Sequence, residues 1–491
     1  MKILLTAERC LMSNYHNALF LGFASCAPRS LIPSQLFFRF ICPPVKTRNG
    51  RAIFAPYGTR KIEAALLSHG FSEKDVAVVP PEKIEKFLDD AKIVGITTND
   101  PLGLGPASTT FSGKTGFVKE EPYNFFCFKE LLRKIRGRAK IVVGGAGAWQ
   151  LENEKVMEEL GIDVVVIGEG EKIVPQLFER ILNGENLRGI FYGDPVEVAE
   201  MPLIRNPTIG GIVEIARGCG RGCRFCQPTL QRLRSRPLEH ILEETKINAP
   251  YGFVTLHAED VLRYKADGIK VNEKAVIELF SEVSKLCKVG ISHFALSSVA
   301  SAENVVQEIS QILGIPNKSQ RWLAGQTGIE TGSERLIKEL MPGKTRPFKP
   351  EDWSDVVEQA FGICSDNHWI PCATLILGLP GEKEEDSMRT VELIERLKNY
   401  KSLIVPLFFV PIGKLRDQQL FTAEKLEQHH WEVIKKCWEH DVRWIRELAR
   451  DYLAKIPILG RIFVTKFIEW AISEGNKRMR TLEAQYTSRI R

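Results

Sequence analysis

The sequence predicts an α/β protein made of two successive strand–helix series and a helical tail, and three observations predict it. Short apolar runs rich in Val and Ile alternate with helical periodicity over most of the 491 residues. The alternation restarts after a Pro-containing stretch, MPLIRNP at 201–207. From Thr422 onward only helical periodicity remains. Alternation of this kind gives parallel sheets covered on both faces, with ligands outside the carboxyl ends of the strands.

In the first series, candidate strands lie at 2–6, 75–79, 93–97, 140–144 and 164–168, with helices at 59–69, 81–88, 125–135 and 172–182. The strands at 93–97, 140–144 and 164–168 run into TTNDPLGLGP (97–106), GGAGAW (144–149) and GEGE (168–171). Glycine there lets the backbone approach a phosphate or nucleotide loop, and the helix that follows supplies amide donors. It is also ordinary turn chemistry. The segment 10–49 breaks the alternation: it is aromatic and apolar and interrupted by Pro28, Pro33, Pro43 and Pro44. It reads as core plus loops, or as an apolar lid over a greasy substrate.

The stretch 214–229, EIARGCGRGCRFCQPT, sets Cys219, Cys223 and Cys226 in C-x3-C-x2-C spacing on a glycine-rich loop after an apolar strand. Three thiolates this close in sequence can converge on one metal centre. Structural zinc takes four Cys or His ligands, and no fourth stands at knuckle spacing. Three cysteines on a four-iron cluster leave one iron open. With Phe225 before the third cysteine, the loop resembles the cluster loop of the radical S-adenosylmethionine (SAM) enzymes. The resemblance implies a 4Fe-4S cluster whose fourth iron takes the amino and carboxylate groups of SAM. Reduction by an external donor such as ferredoxin or flavodoxin then cleaves a C–S bond and releases a 5'-deoxyadenosyl radical. The cofactors make the radical; the protein holds, orients and shields.

The second series has candidate strands at 212–216, 253–256, 293–297, 325–329, 373–377 and 403–409. Six such units resemble the partial (β/α)6 TIM barrel of that family, with reactive groups at the strand carboxyl ends. On this resemblance His257, Glu259 and Asp260 hold the SAM amino group, and Ser297 and Ser298 end the third strand. Glu330, in QTGIETGSE, contacts the ribose or methionine part, Gly378 and Leu379 in the G-x-P-G-E turn flank the adenine, and Phe225 supports it. Each is otherwise a satisfied loop residue.

The first series resembles the Rossmann-like, cobalamin-binding-type domain that many radical SAM proteins carry. That makes Asn99, Asp100, Gly144, Gly145, Gly168, Glu169 and Gly170 candidate cobalamin contacts. The D-x-H-x-x-G motif is missing, since Asp366-Asn367-His368 has Pro371 where Gly is needed, so cobalamin stays open. Cys10, Cys26 and Cys42 invite comparison with the second cluster of the tRNA methylthiotransferases, but their even spacing is not that family's, and buried cysteine is the plainer reading. The resemblance runs over 2–413, and the expected domains are 1–200, 201–420 and a helical extension at 421–491.

The formal charge of +6 is small for this length and permits an anionic partner without demanding one. With no strongly basic domain or RNA module, a nucleic-acid partner is not expected. Eleven cysteines without pairing rhythm point to a reducing compartment. Neither a signal-peptide core nor an uncharged apolar run of roughly 20 residues is present, so the protein is expected in the cytoplasm or peripheral to a membrane. The basic run RLRSRP at 232–237 suits an anionic headgroup or a solvated face.

Leu459, Ile462, Phe463, Phe467 and Trp470 share one stripe, followed by GNKRMR, as in a helix lying in a membrane interface or in a core. The patterns LTAERCLMSNY and PYGTRKIEAAL resemble the archaeal proteins grouped with the tetraether lipid (GDGT) ring synthases. That implies hydrogen removal from an unreactive C–H bond of a membrane lipid and C–C bond formation in a pocket closed to water. The alternatives are cobalamin-dependent C-methylation and tRNA modification; an electron carrier would need neither an open iron nor a SAM site.

Overall fold

The Val- and Ile-rich runs of the first series become one parallel sheet. The computed structural model describes residues 1–227, 232–453 and 457–489. They form two packing units, one of residues 1–220, 227–258 and 278–290 and the other of 221–226, 259–277 and 291–491.

The sheet of the first unit contains β1 (Ile3–Ala7), β2 (Val76–Val78), β3 (Ile93–Thr97), β4 (Lys140–Gly144), β5 (Val164–Gly168) and β6 (Gly189–Gly193), in the order β2-β1-β3-β4-β5-β6. Its helices include α1 (Tyr57–Ser68), α2 (Tyr123–Ile135), α3 (Glu154–Leu160) and α4 (Ile173–Leu182). Alternate strand residues feed two cores. Ile3, Leu5, Val142 and Val164 pack with Leu177 and Phe178 of α4. Leu4, Ile141, Val143 and Val165 pack with Phe128, Leu131 and Leu132 of α2. Burial on both faces is why these strands read as continuous apolar runs. The chain reverses direction across the sheet between β1 and β3, the switch point where such sheets place ligands.

Two expectations change here. The helix at 81–88 is a 3-10 segment, Ile84–Asp90. A sixth strand, β6, escaped notice because GIFYG is short, half-exposed and bounded by glycines.

Next come β7 (Ile212–Glu214), a short antiparallel hairpin of Ala216–Arg217 with Arg234–Ser235, α5 (Leu238–Asn248), β8 (Phe253–His257) and β9 (Lys288–Ile291). The sheet order is β9-β8-β7, with β8 parallel to β7. The strand expected at 293–297 is not formed. It lies earlier, as β9, and Leu296–Ser301 is a helix, α6. Leu296, Val299 and Ala300 are buried at helical spacing.

In the second unit, β10 (Leu323–Glu330), β11 (Trp369–Leu377) and β12 (Leu403–Phe408) form a parallel sheet in that order. Helices α7 (Trp353–Asp366) and α8 (Glu384–Leu397) connect them, and α9 (Gln428–Leu453) and α10 (Ile458–Arg489) follow. Packing does not divide at residue 200, because the hairpin arginines are ion-paired to glutamates of the first unit. Among the described residues no helix is long and apolar enough to cross a membrane.

Candidate active site

The cysteine loop springs from a buried ionic lattice in the first unit. Arg217, the last residue before the loop's first glycine, donates to Glu214 at 2.8 Å, Glu169 at 2.7 Å and Glu171 at 2.8 Å. Arg234, on the returning strand of the hairpin, pairs with Glu169 and donates to the Val196 carbonyl at 2.6 Å. Arg236 meets Glu244 at 2.8 Å, and Lys61 of α1 meets the same carboxylate at 2.9 Å. Tyr57 adds a third donor to Glu244 at 2.9 Å. Burial alone would raise the pKa of Glu214, but Arg217, with Lys61 and Arg236, holds it down to about 2. Buried charges survive only when paired in this way. The lattice therefore fixes both strands at the root of the loop.

Gly218, Gly220 and Gly222 all have positive φ, which frees the chain to turn sharply around Cys219 and Cys223. Cys219, in the first unit, and Cys223 and Cys226, in the second, are each half-buried. Within the second unit, Arg221 is a hub. It donates to Ser298 Oγ at 2.8 Å, to Asp260 at 3.2 Å and to the Arg346 carbonyl at 2.9 Å. The Arg224 amide donates to the Leu340 carbonyl at 3.0 Å, and the Arg224 carbonyl accepts from the Lys414 amide at 2.8 Å. A Cβ at Gly343 would stand 1.9 Å from the Arg221 carbonyl, so that close approach demands glycine. The donor set itself, three half-buried thiols in C-x3-C-x2-C spacing, fits an iron–sulfur cluster with one open iron.

Glu330 ends β10 with φ of 66° and is paired at 2.8 Å with half-buried Lys344. Burial would lower the Lys344 pKa, but Glu330 and then Cys223 raise it. Lys344 and Arg221 were not singled out from the sequence. Their only signals were the MPGKT turn after a helix and an arginine inside the cysteine loop.

Of the other expected SAM contacts, His257 ends β8, and Glu259 and Phe225 are half-buried. Asp260 accepts from Ser298 at 2.6 Å and from the Ala295 amide at 3.2 Å as well as from Arg221, so its oxygens are engaged internally. Ser297 does not end a strand: it lies on α6, fully buried, and donates to the Lys344 carbonyl at 2.8 Å. In the G-x-P-G-E turn, Glu382 accepts the Gly378 amide at 2.6 Å and the Leu379 amide at 3.1 Å, closing the turn on itself.

At the first sheet's carboxyl edge, the glycines serve loop packing. A Cβ on Gly145 would meet the Thr98 carbonyl oxygen at 2.6 Å, and one on Gly168 would meet that of Gly193 at 2.3 Å. Gly170 faces Ile62 and Val174, and Gly144 the Val166 carbonyl. Asp100, beside Asn99, accepts from Gly105, Ser108, Asn124 and Gln150 at 2.6–2.8 Å. Glu169 is held in the ionic lattice. Asp100 and Glu169 thus already have protein partners, and these glycines pack against neighbouring loops and side chains.

Residues 213–394 match the family model described as the radical SAM superfamily. The chain therefore carries a radical SAM domain, and the domain implies a 4Fe-4S cluster and SAM. Among individual relatives, a tRNA-2-methylthio-N(6)-dimethylallyladenosine synthase of Thermotoga petrophila is 29% identical over 270 residues, 54% of this chain and 57% of that protein. An uncharacterised protein of Methanocaldococcus jannaschii is 24% identical over 359 residues, covering 60% of this chain and 68% of its own length. The chain thus spans less than two thirds of the curated synthase's length. Among solved structures, the radical SAM methyltransferase TsrM of Kitasatospora setae, with cobalamin and a 4Fe-4S cluster bound, superposes with a TM-score of 0.55 at 14% identity. That match covers 84% of this chain and 77% of the other, a likeness of fold.

Proposed function

We propose that this chain activates an unreactive C–H bond of an apolar, lipid-like substrate and converts the carbon radical into a new C–C bond. When bound, the cluster and SAM supply a 5'-deoxyadenosyl radical as hydrogen acceptor. Cys219, Cys223 and Cys226 would hold the cluster. His257, Glu259, Glu330, Gly378, Leu379 and Phe225 would face SAM, while Arg221, Asp260, Ser297 and Ser298 position the loop beneath them. The observation that carries the apolar substrate is α10, where Ile458, Leu459, Ile462 and Trp470 are 47–69% exposed on a helix that also bears Arg461 and Lys466. A surface of this kind favours a membrane interface, and with it a lipid substrate.

A second reading is cobalamin-dependent methylation of the substrate radical, favoured by the fold likeness to TsrM. The filled glycine positions and partnered Asp100 and Glu169 weigh against it. A third, tRNA modification, is favoured by the synthase relatives alone. The test is anaerobic protein, reduced and incubated with SAM and either a membrane-lipid extract or tRNA. Release of 5'-deoxyadenosine only with lipid supports the proposal. Release only with tRNA, or S-adenosylhomocysteine together with bound cobalamin, overturns it.

A further inference from the structure

A cluster of sulfur and carboxylate stands well apart in sequence from the cysteine loop, inside the first unit. Glu8 and Cys10 follow β1 at the switch point of the sheet, and Cys127 comes from α2. The Cys10 and Cys127 sulfurs lie 3.6 Å apart. One ligand atom from each of Glu8, Cys10 and Cys127 falls within 4.8 Å of the other two. Cys42, in the aromatic segment, donates its thiol to the carbonyl of Arg9, next to Cys10 in the chain, at 3.8 Å. All four residues are at most 7% exposed.

We propose that Glu8, Cys10 and Cys127, with the adjoining Cys42 thiol as fourth donor, form a second metal site that takes a single thiophilic divalent cation of the zinc class. The spacing selects the ligand. Zinc–thiolate bonds of about 2.3 Å in a tetrahedron set neighbouring sulfurs about 3.8 Å apart, close to the separation here. A multi-iron cluster interposes its own irons and sulfides and needs its cysteine sulfurs further apart. A disulfide would draw them to about 2.05 Å. The Glu8 oxygens accept the Cys10 amide at 2.5 Å and the Leu11 amide at 2.8 Å, which orients the carboxylate and leaves lone pairs for a metal. Tyr15 donates to the Cys10 carbonyl at 2.8 Å and steadies the loop behind. Binding displaces thiol protons and moves no electrons. The ion pins the aromatic segment 10–49, which has no strand of the main sheet to hold it, onto β1 and α2.

The test starts from the full chain carrying Cys219→Ala, Cys223→Ala and Cys226→Ala, so that the loop holds no cluster. Supplied with zinc, this parent should retain about one zinc per chain after gel filtration. Cobalt in its place should give thiolate-to-cobalt charge-transfer absorption. Adding Cys10→Ser and Cys127→Ser should remove both signals. Should that variant fail to fold, the parent's cobalt spectrum should shift with Cys42→Ser and be unmoved by Cys26→Ser. No zinc in the parent, iron with sulfide in its place, or a Cys10–Cys127 disulfide by mass spectrometry overturns the assignment.

Discussion

Lys344 and Glu330 form a largely buried ion pair at 2.8 Å at the carboxyl end of β10, their side chains 14% and 11% exposed, in a unit that also contains Cys223 and Cys226. Removing one member leaves the other charged and without its main partner. Glu330→Gln should cost about 3 kcal/mol of stability, because uncompensated buried charge is the expensive outcome. It should also weaken SAM binding. Denaturant unfolding and SAM titration read the two effects separately, and unchanged values for both would remove Glu330 from the site.

Cys223→Ala should abolish the brown colour of the anaerobically purified protein together with SAM cleavage. Iron and sulfide analysis, with chromatography of 5'-deoxyadenosine, checks it. Full cleavage by the variant would break the ligand assignment.

Arg217 serves three carboxylates at the root of the loop, so Arg217→Ala should destabilise by about 3–5 kcal/mol. Arg217→Lys should recover only part, since one ammonium cannot span the fork geometry. Iron content should fall with stability in the order wild type, Lys, Ala.

Two carboxyls give opposite pH limbs. Glu214 has its folded pKa depressed from 4.5 to about 2, so its contribution is full above pH 4.5 and is lost as pH falls toward 2. Asp441, on α9, is raised by burial from 3.8 to about 8 despite accepting the Ile404 amide at 2.7 Å. Its contribution is full below pH 3.8 and is lost as pH rises through 8. Asp441→Asn should flatten the stability profile between these values and stabilise at neutral pH by a few kcal/mol, on the order of 1.4 per pKa unit. Urea midpoints across pH measure it, and an unchanged slope would contradict the assignment.

Gly378 has φ of 77°, and a Cβ there would stand 2.0 Å from the Phe421 ring. Gly378→Ala combines backbone strain with overpacking and should cost roughly 2–4 kcal/mol. Thermal unfolding tests the magnitude. Gly381, with φ of 77° and open space around it, should cost about 1 kcal/mol.

The features legible before folding are those that depend on neighbours along the chain. β3, β4 and β5 appear at the residues their apolar runs mark, and Cys219, Cys223 and Cys226 carry their chemistry in their spacing. The family of the domain followed from that loop. Tertiary structure decided what depends on partners far away in sequence. Ser297 moved from a strand end to the buried face of α6, because Leu296, Val299 and Ala300 found apolar cover at helical spacing. Glu169 and Asp100 became partners of arginine and of loop amides. Gly145 and Gly168 were occupied by the backbone of adjacent loops. The meeting of Glu8 and Cys10 with Cys127 leaves no trace in the sequence, since Cys127 arrives on a helix 117 residues after Cys10. Periodicity reports which face a residue turns inward; only packing reports what waits there.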